Sequence, residues 1–372
     1  MKKVLVSCTY YLPNISGVTV YVDILANKLG EKGYKISVLT SRYKKELSKF
    51  EENRGIKIIR SEVALVINKG VLMPMFWWDA FKQVKENQII FANLPQVESI
   101  WLGLWSKILG KKFIVIHHCE FNFTGSLSNK LISLLTYPIH FITYILADEI
   151  ISYTKDYGQT SIFLKYFPKK IKYVLPPVVV GKEDKDKQTE IKKKLGLKNE
   201  KVVGFVGRIA WEKGLNYAIE AIARLDKVKL VLVGPYKNLV GDSSFKNLKK
   251  LIDKHSDKVV LYGPTSHDEL VNLYKIFDCL VLPSTNNLET FGIVQAEAMI
   301  SNCPVVASDL PGVRMPVRMT GLGEIAKVND SVDLAKKIYK VLNTKYDDKL
   351  FEKAGELFNI KNFVNEYLKC ID

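Results

Sequence analysis

Cysteine is scarce in this sequence. Its 372 residues include five cysteines, and no two of them form a CxxC pair. A scattered, odd set of cysteines argues against a disulfide framework or a zinc site and favours a reducing cytoplasm. No segment has the composition of a disordered tail, and the amino terminus lacks the long apolar core and the cleavage site of a signal peptide. We therefore expect a cytoplasmic protein that buries sizeable cores.

Acidic residues are too few to balance the basic ones. The chain has 39 Asp and Glu residues against 55 Lys and Arg residues, a formal net charge of +16. Residues 1–176 contain 24 basic and 13 acidic residues, whereas residues 201–372 contain 24 and 21. The excess therefore lies in the first half. It favours an anionic partner there: a membrane surface, a nucleic acid or a phosphorylated substrate.

Short apolar runs alternate with helical patterns along most of the chain, which predicts parallel sheets with helices on both faces. The alternation breaks at two prolines and a dense run of mixed charge, which is typical of a linker. We predict an α/β protein with two Rossmann-like, doubly wound domains, 1–176 and 201–348, facing each other across a cleft. The linker is predicted at 177–200. The helical segment 349–372 is expected to cross back to the first domain.

The segment GFVGRIAWEKGLNYAIEAI, residues 204–222, places Arg208 just after a strand and Lys213 just before a helix. Two fixed cations beside the N–H groups of a helix start can bind a phosphate. By itself the pattern also fits two solvated surface charges on a strand, turn and helix. It lacks both G-x-x-x-x-G-K-[ST] and G-x-G-x-x-G, so neither of these nucleotide fingerprints applies.

The segment LPSTNNLETFGIVQAEAM, residues 282–299, repeats this design with two glutamates. Glu289 lies in a polar loop, and Gly292 opens a helix that carries Glu297 among apolar residues. Burying a carboxylate is costly unless something specific binds it. A carboxylate at Glu297 can accept two hydrogen bonds from a ribose diol, and Glu289 can reach a second hydroxylated group. The alternative is that both are incidental surface glutamates.

Together the two segments resemble the retaining GT-B glycosyltransferases of family 4, which use nucleotide sugars. That family has GR…KG at the start of its second domain and E-x7-E within E-x-F-G-x-x-x-x-E-A-M-A-x-G-x-P-V-V-A. The stretch ISGVTVYVDILANKLGEKGYKISVLTS also looks like the family's glycine loop, first helix and second strand. At the position of the second glycine of that motif, this sequence has Asn302. The residues of the two segments that match are Gly207, Arg208, Lys213, Gly214, Glu289, Phe291, Gly292, Glu297, Ala298, Met299, Pro304 and Val305.

The resemblance implies a role for each charged residue. Arg208 and Lys213 would hold the donor diphosphate and stabilise charge on the departing nucleotide. Glu297 would bind the donor ribose, and Glu289 would lie near the donor sugar. We predict Arg208, Lys213, Glu289 and His118 as the catalytic set. No metal and no cofactor is expected, because the two cations and the helix ends take the place of a divalent ion.

Backbone groups and the first domain complete the site that the resemblance implies. The backbone of Phe291 and Gly292 would lie close to the donor sugar, and the helix start at Gly17 would face the donor phosphates. Family members often end one strand of the first domain with a histidine near the reacting sugar, and the strand register favours His118 over His117. Without the resemblance, a histidine pair in the core or on the surface is the simpler interpretation. As a zinc site the pair lacks a third ligand at recognisable spacing.

Two stretches of the basic half favour a membrane surface. Residues 131–147 carry no formal charge, but they fall short of the ~20 residues that span a membrane. Pro138 and His140 interrupt them, so we expect a buried or interfacial helix. Trp101 and Trp105 precede three lysines in a pattern suited to the lipid headgroup layer. Core aromatic residues at a charged helix end explain that pattern equally well.

Within the predicted linker, Asp184 and Asp186 look like the D-x-D motif of metal-dependent GT-A enzymes. That motif normally follows an apolar strand, whereas these aspartates lie in a lysine-rich run. We therefore interpret them as part of a solvated charge run.

We predict a metal-independent, retaining glycosyltransferase that moves a sugar from a UDP- or GDP-linked donor to a saccharide or lipid-linked acceptor. Such an activity belongs to cell-envelope or polysaccharide biosynthesis, and we expect a protein bound peripherally to the inner face of the cell membrane. A GT-B epimerase or phosphorylase would share the donor site. A basic nucleic-acid-binding protein is the alternative from another class, but it leaves both glutamates unexplained.

Overall fold

The structure, a computed structural model, describes residues 2–67, 70–120, 127–236 and 245–371. It divides the chain into two compact units. The first unit combines Met1–Pro177 with Lys361–Asp372, and the second unit is Val178–Ile360. Each unit is built on its own sheet.

The sheet of the first unit is almost entirely parallel. The strands of this unit are β1 (Lys3–Ser7), β2 (Lys35–Arg42), β3 (Phe50–Asn53), β4 (Ile56–Glu62), β5 (Leu65–Ile67), β6 (Gly70–Leu72), β7 (Ile89–Leu94), β8 (Lys112–His117), β9 (Glu149–Ser152) and β10 (Ile171–Tyr173). β5 and β6 form a separate hairpin, and the other strands form one sheet in the order β10-β9-β8-β7-β1-β2-β4-β3. Only β3 and β4 pair antiparallel in that sheet.

Helices cover both faces of this sheet, and its central strands are therefore buried. They are α1 (Gly17–Glu31), α2 (Phe76–Glu86), α3 (Ser99–Ile108), α4 (Leu127–Leu146) and α5 (Lys155–Thr160). Successive residues of a strand face opposite sides. Leu5, Ile90 and Phe113 are fully buried in a core shared with α2, α3 and α4. Helix α1 begins after Ser16, whose hydroxyl accepts a hydrogen bond from the backbone N–H of Thr19.

The second unit has a purely parallel sheet. Its strands are β11 (Lys201–Val206), β12 (Val228–Val233), β13 (Val259–Gly263), β14 (Cys279–Leu282), β15 (Val305–Ser308) and β16 (Gly323–Ala326). Its helices are α6 (Lys185–Lys194), α7 (Leu215–Ala223), α8 (Phe245–Lys254), α9 (His267–Ile276), α10 (Ile293–Ile300), α11 (Met315–Thr320), α12 (Ser331–Leu342) and α13 (Asp348–Leu357). The order is β13-β12-β11-β14-β15-β16. The chain changes direction across the sheet between β11 and β14, and such switch points bind ligands at the carboxyl ends of the strands.

Helix α14 (Ile360–Ile371) carries the chain into the first unit. Tyr367 packs on Phe91 of β7 with ring centroids 5.6 Å apart, and its hydroxyl hydrogen-bonds to that of Tyr21 on α1. Because Phe91 follows Ile90 in the strand, α1 and α14 lie on the face opposite α2–α4. The returning segment is shorter than predicted, since residues 361–372 belong to the first unit and α13 belongs to the second.

The prediction of a linker over residues 177–200 is wrong for most of that length. Residues from Val178 onward belong to the second unit, and Lys185–Lys194 form helix α6. The carboxylate of Asp184 accepts hydrogen bonds from two N–H groups of the first turn, so this aspartate is a helix cap. Ile191 and Leu195 are buried four residues apart, on one helical face. Because most residues around Ile191 and Leu195 are charged, the helical spacing of these two apolar residues was not recognised in the sequence.

Candidate active site

Two loops meet beyond the carboxyl ends of β11 and β14 in the second unit. The backbone carbonyl of Glu212, in the loop after β11, accepts hydrogen bonds from the hydroxyl and the N–H of Thr285, in the loop after β14, at 3.0 and 3.4 Å. Gly214 lies so close to the second loop that a Cβ there would be 1.9 Å from the carbonyl oxygen of Pro283. Its φ of 70° also favours glycine. Two segments that are distant in sequence therefore form one surface.

This surface carries the predicted cations and one predicted carboxylate. Lys213 Nζ lies 2.6 Å from Glu289 Oε2, and the two side chains are 21% and 19% exposed. The structure thus pairs the cation predicted to bind phosphate with the carboxylate predicted to face the sugar. Arg208 is more open, at 40% exposure, and its Nη2 lies 3.0 Å from Glu212 Oε1. Glu212 was not predicted, although a carboxylate four residues after an arginine was a visible signal.

The turn that opens helix α10 has a fixed shape. Gly292 has a φ of 74°, and a Cβ there would lie 2.3 Å from Leu282 Cδ2. Phe291 is 1% exposed. The buried amide of Gln295 donates to the carbonyls of Phe291 and Val313 at 2.7 and 2.9 Å. The first N–H groups of α10, which carry partial positive charge, therefore start from a rigid turn directly after the loop of Glu289.

Glu297 lies one turn into α10, in a recess between α10 and α9. Its Oε2 accepts a hydrogen bond of 2.8 Å from the hydroxyl of Tyr274. Burial raises the pKa of the Glu297 carboxyl, and the hydrogen bond from Tyr274 and the nearby His267 act in the opposite direction. The other residues that line the recess are Val179, Val180, Gly181, Leu270 and Val271. The carboxylate predicted to bind ribose is therefore held by a tyrosine that the sequence analysis missed.

His118 directly follows strand β8 in the first unit and is 4% exposed. Its Nε2 lies 2.8 Å from Asn93 Oδ1, and its Nδ1 hydrogen-bonds to the hydroxyl of Tyr153. Since the amide nitrogen of Asn93 donates to the carbonyl of Ser7, the Asn93 oxygen accepts and His118 Nε2 carries the proton. Burial lowers the pKa of His118 to about 3, so the ring is neutral at pH 7. Both nitrogens are engaged within the protein, and the catalytic role of His118 stays a prediction.

His117 points to the opposite face of the same sheet. Its Nδ1 and Nε2 face the hydroxyls of Tyr144 on α4 and Tyr157 on α5, and burial lowers its pKa to about 3. His118 instead packs edge-on against Tyr21 of α1, with ring centroids 4.7 Å apart. The two histidines therefore lie on opposite faces of the sheet, as successive residues of a strand do.

Gly17 is the first residue of α1 and is exposed. A Cβ at this position would meet nothing within 4 Å. Packing within the described chain therefore does not require glycine here. The predicted contact of Gly17 with donor phosphates stays a prediction.

The architecture is that of the GT-B glycosyltransferases. Sucrose-phosphate synthase from Thermosynechococcus elongatus superposes with a TM-score of 0.79 at 18% identity, covering 100% of this chain and 98% of that one. The Anabaena protein HepE, solved in complex with UDP, gives a TM-score of 0.78 at 19% identity, covering 100% and 99%. At these identities the likeness establishes the fold, and the GT-B prediction is confirmed.

Sequence similarity gives the family. The family described as Glycosyl transferases group 1 matches residues 167–357, which is more than half of the chain. The chain therefore belongs to this family of glycosyltransferases. An uncharacterized glycosyltransferase of Methanocaldococcus jannaschii is 25% identical over 402 aligned positions, covering 99% of this chain and 98% of that protein. The D-inositol 3-phosphate glycosyltransferase of Mycolicibacterium smegmatis is 33% identical over 147 residues, which are 39% of this chain and 33% of that protein.

Proposed function

We propose that this protein is a retaining glycosyltransferase of family 4 that transfers a sugar from a UDP- or GDP-linked donor to a saccharide or lipid-linked acceptor. The observation that carries the proposal is the contact of Lys213 with Glu289 where β11 and β14 end. This contact supports the proposal because Lys213, proposed to bind the diphosphate, lies beside Glu289, proposed to bind the sugar hydroxyls. The UDP and UDP-glucose bound in HepE structures support a nucleotide-sugar donor.

The proposed donor site needs no divalent ion. Arg208, Lys213 and the start of helix α10 would balance the charge that develops on the departing diphosphate. In the described residues no three His, Cys, Asp or Glu side chains are grouped closely enough to hold a metal ion. Treatment with chelators should leave sugar transfer unchanged.

We further propose same-face attack as the route to retention. The acceptor hydroxyl oxygen forms the new bond to the anomeric carbon on the side from which the diphosphate leaves. The bond between that carbon and the diphosphate oxygen breaks, and the acceptor proton passes to the leaving phosphate. Glu289 would orient the sugar hydroxyls, and before donor binds it pairs with Lys213, the cation proposed for the diphosphate. The acceptor is proposed to be part of cell-envelope or polysaccharide biosynthesis.

Donor binding gives the first test. Glu297→Gln is expected to weaken binding of UDP or GDP, whichever binds the parent protein, by about tenfold or more. A hydrogen bond to a charged group contributes about 1.5–3 kcal/mol. Titration calorimetry measures the affinity, and a panel of nucleotide sugars ranked by thermal stabilisation identifies base and sugar. NMR of the product then reports the anomeric configuration.

Glu220→Gln is the matched control for this test, because Glu220 is an exposed glutamate on α7 of the same unit. It should bind the nucleotide like the parent. Equal affinities of Glu297→Gln and the parent would rule out the ribose role. An inverted product would rule out the retaining mechanism.

A surface on the first unit supports the proposal of a membrane-borne acceptor. We call it the α2–α4 surface. Helices α2, α3 and α4 lie side by side, and no described helix is long and apolar enough to cross a bilayer. Trp105 fits the alternative interpretation of a core aromatic residue, because it packs on the core and donates its indole N–H to the carbonyl of Trp77. The exposed apolar side chains of the surface are Trp77, Trp78, Trp101, Ile108, Leu134, Leu135, Ile142 and Ile145.

Charge complementarity points to anionic lipid as the partner. Lys82 lies over the ring of Trp78, 5.2 Å from its centroid, and Lys107, Lys111 and Lys112 follow on and after α3. We propose that the protein binds the cytoplasmic face of the membrane peripherally through the α2–α4 surface. Basic residues near an anionic bilayer contribute about 1 kcal/mol each, and salt screens the attraction.

Vesicle sedimentation tests this binding. The protein should bind vesicles containing anionic lipid at low salt and dissociate as salt rises. Replacing Lys107, Lys111 and Lys112 with Gln should weaken binding about 5- to 30-fold. This loss of affinity is smaller than that expected for three lysines without ion-pair partners. Lys107 and Lys112 are already ion-paired with Asp148 and Glu149.

The control for the vesicle assay removes three charges from the second unit. Replacing the exposed residues Lys192, Lys193 and Lys194 of α6 with Gln should leave binding nearly unchanged. An equal loss in both variants would mean that net charge alone drives binding. If the intact protein ignores anionic vesicles at low salt, the acceptor is soluble and the basic half acts as a phosphate-steering field.

A further inference from the structure

A buried tyrosine on α9 makes one polar contact of functional interest. Tyr274 is 1% exposed and packs edge-on against Phe277. Its hydroxyl donates to Glu297 Oε2 on α10 at 2.8 Å, and strand β14 lies between the two helices in the chain. A buried tyrosine hydroxyl normally needs a partner, but a phenylalanine would fill the same space without one. The hydroxyl therefore has a purpose beyond packing, and its partner is the residue proposed to bind ribose.

Among the described residues, only one of the two carboxylate oxygens of Glu297 has a hydrogen-bond partner. Tyr274 holds Oε2, while the structure gives Oε1 no hydrogen-bond partner among the residues it describes. The walls of the recess around it are mostly apolar, with Val179, Val180 and Leu270 among them. The ring of His267 is fixed by its Nε2, which lies 2.8 Å from the carbonyl oxygen of Val179. An ionised carboxylate in such surroundings must be oriented and stabilised by the few polar groups present.

We propose that Tyr274 is a positioning residue for the donor: its hydroxyl anchors Glu297 Oε2 and so directs Oε1 toward the ribose hydroxyls. The inference rests on the ribose role of Glu297 given under Proposed function. It adds a second residue to that contact, one that itself touches no substrate. Removing the hydroxyl should leave the fold intact but loosen the carboxylate and make it easier to protonate.

The expected pH dependence follows from the groups around the carboxyl. In the described part of the chain, the titratable groups that act on Glu297 are Tyr274 and His267, both on α9. Burial already raises the pKa of Glu297, and the hydrogen bond from Tyr274 lowers it. Without that bond the pKa of Glu297 rises further. As the pH falls, the carboxylate of the variant is therefore protonated at a higher pH than that of the parent. His267 is present in both proteins and does not produce the difference.

The experiment compares a ribonucleotide with its 2′,3′-dideoxy form by titration calorimetry between pH 5 and pH 8. The nucleotide is UDP or GDP, whichever binds the parent. Tyr274→Phe should bind the ribonucleotide on the order of tenfold more weakly than the parent. It should bind the dideoxynucleotide about equally, because the diol that Glu297 would hold is absent. Its affinity for the ribonucleotide should also begin to fall at a higher pH.

Tyr11→Phe is the matched control, since the buried hydroxyl of Tyr11 donates to Asp23 Oδ1 at 2.7 Å in the first unit. It makes the same chemical change and should alter neither the ratio of the two affinities nor the pH profile. The double variant Tyr274→Phe/Glu297→Gln should be no weaker than Glu297→Gln alone, because both changes remove one contact. Thermal unfolding checks that each variant is folded.

The outcomes distinguish the positioning role of Tyr274 from the ribose role of Glu297, on which it rests. If the parent binds both nucleotides equally, Glu297 does not bind ribose and the inference about Tyr274 falls with it. If the parent prefers the ribonucleotide and Tyr274→Phe keeps that preference and the parental pH profile, the role of Tyr274 alone is wrong. Equal weakening of both nucleotides by Tyr274→Phe would likewise show a structural effect and overturn the proposal.

Discussion

Lys213→Ala and Arg208→Ala are each expected to lower the rate of sugar transfer by about 10²–10³, because a preorganised charge contact to a developing anion is typically worth that much. The two residues lie on the loop after β11, and Lys213 is held within 2.6 Å of Glu289. Its loss removes a cation that is already in place before substrate binds. Stability should change little, since an exposed ion pair contributes about 0–1 kcal/mol and this one is only partly buried.

The control for these variants lies at the other end of the same strand. Lys201 begins β11 and pairs with Asp278 at 2.8 Å, so Lys201→Ala also breaks a lysine–carboxylate contact. Initial rates with a radiolabelled donor should be near the parent's for Lys201→Ala and strongly reduced for the other two. A rate near the parent's in Lys213→Ala or Arg208→Ala would move the phosphate site elsewhere.

The sequence predicted where the charged residues lie along the chain relative to strands and helices, because that depends on neighbouring residues alone. Strand, glycine turn and helix follow one another within each of the two motif segments, so Arg208, Lys213 and Glu289 could be placed at strand ends from sequence alone. Their direct contact depends on the order of β11 and β14 in the sheet. The alternation of strands and helices predicts two such sheets, but it does not tell which strands are neighbours.

Contacts between distant elements were missed for the same reason. Tyr274 reaches Glu297 from another helix, and nothing in the pattern of α9 distinguishes it from a core aromatic residue. Helix α6 was missed because charge dominated the composition of its segment, whereas two buried residues and a cap determine its structure. His118 shows a further limit. The strand register distinguishes His118 from His117, but it does not reveal the hydrogen-bond partners of the two ring nitrogens. Those partners lie on β7 and on the residue after β9.

Glu289→Gln is expected to change transfer and nucleotide binding in opposite directions. Transfer should fall about 10- to 100-fold, because hydrogen bonds from sugar hydroxyls to an ionised carboxylate contribute about 1.5–3 kcal/mol. Binding of UDP or GDP should instead tighten by up to about fivefold. Glu289 neutralises Lys213 in the structure, and its replacement by an uncharged amide leaves that cation available to the diphosphate. Exposed ion pairs contribute up to about 1 kcal/mol, which sets the size of the gain.

The tightening should depend on the lysine, which a double variant tests. In a Lys213→Ala background, Glu289→Gln has no cation to release, so it should no longer raise the affinity for the nucleotide, and the two changes should be strongly non-additive. Calorimetry on the four proteins gives the coupling, and initial rates give the loss of transfer. Weaker nucleotide binding in Glu289→Gln would mean that the carboxylate supports the diphosphate site rather than competing with it. The pairing of Glu289 with Lys213 would then be a structural contact that the donor does not displace.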